Sequence, residues 1–235
     1  MTKLILAGSG EFTPVMEPID KKLLEFTKNN VVAIIPLAAG LEPNYQKWIE
    51  DGIKHFKKLG AEPIGLDIIN RKRANDQKFI KNIQKASIVY FSGGNPGYLF
   101  ESLKRTLLWK EIYQLFQKEK IILAGSSAGA MIMGNYVLAN AVSSFEKNEK
   151  PRWIKSFGLT KYSIVPHYDY IKKENPKRLV ELIEEAPEKE WIGIDENTVL
   201  IIDDSKNVNV EGKGKVQVVN DGKLKVYSSG DKFQF

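Results

Sequence analysis

Short apolar runs rich in β-branched residues alternate with longer stretches of helical periodicity through the first two-thirds of the chain. This is the pattern of βα units that assemble a mainly parallel sheet. Strands are predicted at residues 4–7, 31–36, 63–68, 88–91 and 121–124, with helices in the intervals. One of these helices is predicted over 43–59. Pro43 suits a first helical turn, while Trp48, Ile49, Ile53, Phe56 and Leu59 share one face and Lys54, Lys57 and Lys58 the other. Gly60 supplies the C-terminal stop. A strand at 163–166 and a helix at 175–185 follow. From Trp191 onward the pattern is β. Runs at 199–202, 208–210, 216–219 and 224–227 are separated by the turn residues Asp203-Asp204, Gly212 to Gly214 and Asp221-Gly222. They are expected to extend the sheet or to form an antiparallel edge. The predicted fold is thus α/β, an open three-layer sandwich with a β-rich C-terminal segment, and ligands are expected beyond the carboxyl ends of its strands.

Composition narrows this picture. No linker, low-complexity tract or solenoid repeat divides the 235 residues, so one domain over 1–235 is expected. There is no cysteine, which removes disulfides, thiolate zinc sites and a cysteine nucleophile, and leaves serine as the familiar nucleophile. A net charge of +6 raises the question of nucleic acid. The lysines answer it: Lys54, Lys57 and Lys58, then Lys78, Lys81 and Lys85, then Lys172, Lys173 and Lys177 are strewn along helices among acids, as on solvated faces. The apolar run near the start is too short for a signal peptide or membrane span. The expectations are therefore a cytoplasmic protein, monomer or homodimer, with no nucleic-acid or membrane partner.

Gly125-Ser126-Ser127-Ala128-Gly129 follows the apolar run that ends at Ala124 and precedes Ala130-Met131-Ile132-Met133, the arrangement of a nucleophile elbow with Ser127 at the turn. The helix behind it should offer free N–H groups and a positive dipole end to an oxyanion. Serine needs a base, and only two histidines exist. His55 sits within the predicted helix and is expected on its surface. His167 directly follows the strand at 163–166, where α/β sites assemble, and is the candidate base. Its acidic partner is open between Asp195 and Glu196, adjacent residues that strand alternation turns to opposite sides, with Asp169 a further candidate. In α/β-hydrolases the acid precedes the histidine, and no histidine follows residue 196 here, so that family is disfavoured. Phe91-Ser92-Gly93-Gly94-Asn95-Pro96 ends the neighbouring strand, and the N–H groups of Gly94 and Ala128 are the candidate oxyanion pair. Gly8-Ser9-Gly10-Glu11-Phe12 lacks both the third glycine of a dinucleotide fingerprint and the Gly-Lys-Ser/Thr of a P-loop.

Taken together, Leu6 to Phe12, Phe91 to Asn95, Gly125 to Ala130 and Gly193-Ile194-Asp195-Glu196-Asn197-Thr198 resemble the dipeptidase E and cyanophycinase family of serine peptidases. The likeness extends to Val210-Glu211-Gly212-Lys213-Gly214-Lys215-Val216. It implies a fold similar to class I glutamine amidotransferases, with serine in the place of cysteine. It also implies Ser127 as nucleophile, His167 as base, Glu196 as its acidic partner, small peptides as substrates with an aspartyl residue beside the cleaved bond, and no metal or organic cofactor. Asn95, Asp169 and Arg178, which resembles the family's helix arginine, are the candidate substrate-binding residues. Val165-Pro166 before His167 replaces the Asp-Gln pair usual in cyanophycinases, and Tyr168-Asp169-Tyr170-Ile171-Lys172-Lys173 replaces their Phe-x-x-Arg, which argues against the storage polymer. The alternative function is a non-catalytic small-molecule binding or assembly module on the same fold.

Overall fold

Almost every residue of the central strands is apolar and buried, which requires cover on both faces of their sheet. The structure is a computed structural model and describes residues 2–235. Its first half runs β1 (Thr2–Ala7), α1 (Glu17–Glu25), β2 (Val31–Ile35), α2 (Gln46–Lys58), β3 (Glu62–Gly65), α3 (Gln77–Ile83), β4 (Ile88–Phe91), α4 (Pro96–Leu103), α5 (Leu107–Gln117) and β5 (Ile122–Ser126). Past the elbow come α6 (Ala128–Met131), β6 (Tyr136–Leu138), α7 (Ala141–Glu146), β7 (Trp153–Lys155), β8 (Ser163–Val165), α8 (Tyr168–Glu174) and α9 (Pro176–Glu184). The β-rich end holds β9 (Trp191–Ile194), β10 (Thr198–Asp203), β11 (Asn207–Gly212), β12 (Lys215–Asn220), β13 (Lys223–Ser228) and β14 (Lys232–Gln234).

The large sheet has the order β14-β11-β10-β1-β5-β4-β2-β3. β1, β5, β4, β2 and β3 run parallel, while β10, β11 and β14 add antiparallel to the β1 side. Alternation along the strands feeds two cores. Ile5, Val32, Ile34, Tyr90 and Ala124 meet Leu23 of α1 and Phe56 of α2, whereas Leu6, Ala33, Ile35, Val89 and Leu123 meet Ile83, Leu99 and Ile112 of α3, α4 and α5. The result is a helix–sheet–helix arrangement around a mainly parallel centre.

A second sheet, ordered β13-β12-β9-β8, shares the core on the α4 side through Ile192, Ile194, Val216 and Val218. The late strands, expected to extend the sheet or to form an antiparallel edge, divide between the two sheets. β10 and β11 extend the main one. β12 instead pairs with β9, Val216 opposite Ile194 and Val218 opposite Ile192, and carries β13 with it. Two helical expectations shift as well. α2 begins at Gln46, with Pro43 left in the preceding turn. His55 is 5% exposed rather than on the surface, because α1 covers that side of the helix and presents Asp20 to it.

Candidate active site

β5 runs straight into Ser127, whose backbone takes φ 50° and ψ −110°. That conformation is sparsely populated and costs about 1–3 kcal/mol, so the surroundings must enforce it. They do so through close approach. A Cβ on Gly125 would lie 2.4 Å from the carbonyl carbon of Gly129, and one on Gly129 would lie 2.4 Å from the carbonyl oxygen of Phe91. Strand, turn and helix therefore pack more tightly than side chains permit. Ser127 N–H donates to the Ala7 carbonyl at 3.0 Å, and the Ser127 carbonyl accepts from Met131 N–H at 3.0 Å. The hydroxyl makes no capping bond. α6 is only 4 residues long, which corrects the expected helix: one turn carries little dipole, and what remains is its free N–H groups.

β8 and β9 are parallel neighbours with Val165 opposite Gly193, so the chain leaves both strands at the same edge. That register brings the residues after each strand together. His167, in the left-handed region at φ 51°, lies with Nε2 3.0 Å from Ser127 Oγ and Nδ1 2.8 Å from Glu196 Oε1. Both side chains are about one-third exposed, at 34% and 38%. Asp195, just past the end of β9, is engaged elsewhere: its Oδ2 accepts from Lys215 N–H at 2.8 Å. Burial pushes the Asp195 carboxyl above its ordinary pKa. Asp169, a candidate substrate contact, accepts from Glu196 N–H at 2.9 Å and so holds the turn that carries Glu196.

Gly94 has φ 132°, and a Cβ there would stand 2.6 Å from the Ala38 carbonyl carbon, so only glycine fits the turn. Among the described residues neither Gly94 N–H nor Ala128 N–H has a protein acceptor. Asn95 caps α4, its Oδ1 accepting from Tyr98 N–H at 2.9 Å. Glu11 went unnoticed in the sequence. Its Oε1 accepts from Gly93 N–H at 2.8 Å and its Oε2 from Ser126 Oγ–H at 2.5 Å, so one carboxylate ties the glycine turn to the elbow. The available signal was an acid in a glycine-rich turn at the end of β1. Glu11→Ala should release the Gly93-Gly94 turn and lower kcat by about 10–100-fold with little change in KM, a loss that Glu11→Gln partly restores. Steady-state kinetics on the two variants check this.

Arg178 does not reach the site. It is 2% exposed, and its guanidinium donates to the Glu149 carbonyl at 3.2 Å, to Glu181 Oε2 at 2.7 Å and to Asn148 Oδ1. All these partners belong to α9 or the segment after α7, so the expected substrate contact is a structural clamp. A cavity of about 250 Å³ opens beside Ser127, Gly94 and His167. Among the described residues its remaining lining is apolar apart from Glu146, with no lysine or arginine.

The family model of peptidase family S51 matches residues 4–210. The chain belongs to that family. Membership makes it a serine-type peptidase. This S51 chain is 29% identical over 205 residues to the cyanophycinase of Geminocystis herdmanii, covering 86% of this chain and 73% of that protein. It is 29% identical over 174 residues to the cyanophycinase of Trichormus variabilis, covering 73% of this chain but only 58% of that longer relative. The crystal structure of a peptidase from an acI-B1 Actinobacterium superposes with a TM-score of 0.87 at 30% identity, covering 100% of the S51 chain and 98% of the other.

Proposed function

We propose that this chain hydrolyses small peptides through an acyl-enzyme formed on Ser127. The observation that carries the reading is the unbroken path from Ser127 Oγ to His167 Nε2, at 3.0 Å, and from His167 Nδ1 to Glu196 Oε1, at 2.8 Å. Nδ1–H donates to the carboxylate, which leaves Nε2 unprotonated to accept from Oγ–H. Oγ attacks the peptide carbonyl as its proton passes to Nε2. Negative charge gathers on the carbonyl oxygen, where Gly94 N–H and Ala128 N–H donate to it. The C–N bond breaks as the imidazolium returns the proton to the leaving amine. Water then gives a proton to Nε2 and attacks the acyl carbon, and Ser127 departs with its proton restored. Water alone closes the balance of atoms and charge.

The architecture supports kinship with the class I glutamine amidotransferases, serine standing for cysteine, and a single domain over 1–235. An aspartyl residue beside the cleaved bond draws no support from the cavity, which offers its carboxylate no cation among the described residues. Glu196→Gln keeps the side chain's shape but removes the charge that steadies the imidazolium. We expect kcat to fall about 10²–10⁴-fold with little change in KM. An unchanged kcat would remove Glu196 from the mechanism.

A further inference from the structure

We propose that the cavity beside Ser127 receives an apolar side chain of the peptide, so that leucine- or phenylalanine-like residues next to the cleaved bond are preferred over aspartyl or arginyl ones. The assignment rests on the acyl-enzyme reading of the same site. Five elements build the wall, four of them consecutive between residues 128 and 155 and the fifth from further along the chain: Met131 of α6, Leu138 of β6, Val142 and Phe145 of α7, Trp153 of β7 and Leu182 of α9. Met131, Leu138 and Leu182 are buried, but Val142 and Phe145 are each 40% exposed. Large apolar side chains held open around a concavity next to a nucleophile are completed by a ligand's own apolar surface. About 250 Å³ admits a leucine or phenylalanine side chain.

The wall is held rather than floppy. Arg178 is a positioning residue here: its bonds to Asn148 and the Glu149 carbonyl pin the segment that follows α7. Trp153 Nε1–H donates to the Leu182 carbonyl at 3.1 Å, which fixes the indole. Charge discriminates further. An aspartyl carboxylate entering the cavity loses water and gains no cation. A guanidinium finds only Glu146, which is exposed and solvated, so the pair is weak.

The test uses the whole chain and two matched dipeptide series, Xaa-Ala and Ala-Xaa, with Xaa alanine, leucine, phenylalanine, aspartate (α- and β-linked) or arginine. Alongside them, the rate of Ser127 modification is measured with diphenyl phosphonates bearing the same side chains, a readout that does not need turnover. We expect leucine or phenylalanine to exceed aspartate and arginine by about 100-fold in at least one series, in kcat/KM or in modification rate. Val142→Arg should reduce that preference at least tenfold. A best rate for aspartate or arginine in both series, or no discrimination among side chains while Ser127 still reacts, overturns the pocket and leaves the peptidase reading intact. No hydrolysis and no modification of Ser127 by any probe overturns the peptidase reading, and the pocket with it.

Discussion

Ser127→Ala is expected to lower kcat/KM by about 10⁴–10⁶ on any peptide this chain cleaves, with thermal unfolding essentially unchanged. The size follows from the absence of a substitute. There is no cysteine in the chain, and the neighbouring Ser126 is fully buried with its hydroxyl committed to Glu11. Among the described residues, the side chain hydrogen-bonded to His167 Nε2 is that of Ser127, at 3.0 Å. Nucleophile and base also act as a unit, so Ser127→Ala combined with His167→Ala should cost little more than Ser127→Ala alone. The fold should tolerate the change because alanine retains the backbone bonds that Ser127 makes to Ala7 and Met131. Kinetics of the single and double variants decide the matter. Additive losses would mean that the two residues do not work on the same step.

The other large effect is expected behind the site, in stability. His55 Nε2 lies 2.7 Å from Asp20 Oδ2, with the two side chains 2% and 1% exposed, and Phe12, beside Glu11, packs 6.0 Å from the imidazole. Among the described residues Asp20 Oδ1 has no hydrogen-bond partner. His55→Leu would leave the buried carboxyl without the bond that Oδ2 makes to His55, which should cost about 3–5 kcal/mol. For a domain of this size that lowers Tm by about 6–20 °C. Replacing both residues with leucine should recover most of the loss, because a buried pair and its apolar replacement are often nearly equal. Burial pushes the Asp20 carboxyl above its ordinary pKa, and the contact with His55 pulls it part of the way back. A raised carboxyl contributes stability below the unfolded value near about pH 4 and loses it as pH rises through the folded value, the reverse of a salt-bridged acid. Asp20→Asn should therefore flatten that part of the pH dependence. Chemical denaturation of these variants tests the pair, and a loss under about 1 kcal/mol for His55→Leu would contradict it.

The sequence made visible what depends on neighbours along the chain. Short apolar runs rich in β-branched residues located β1, β2, β4 and β5, the Gly-x-Ser-x-Gly spacing located the elbow, and the adjacent acids 195 and 196 marked the segment that supplies the partner of His167. What it concealed depends on distant partners. Glu11 finds Ser126 across 115 positions, and no local pattern announces that bond. His55 lies beside Phe56 at the border of the apolar face, and only the packing of α1 decides that it is buried. Arg178, a candidate substrate contact in the sequence, is buried because Asn148 and Glu149 fold back onto it. The second sheet was hidden for the same reason: β12 chooses β9 rather than the β11 edge through side chains on residues 192, 194, 216 and 218, which sequence order alone does not pair. The cavity wall is another case, since Leu182 of α9 closes a concavity otherwise lined from the stretch between α6 and β7.

Treating the full chain with an alkyl fluorophosphonate and mapping the adduct by mass spectrometry tests whether Ser127 is a nucleophile activated by His167. One adduct per chain is expected, on Ser127, with peptide hydrolysis lost in step with labelling, and no adduct in Ser127→Ala or His167→Ala. Undiminished hydrolysis by Ser127→Ala, or an absence of both labelling and hydrolysis in the folded wild-type chain, would contradict that role.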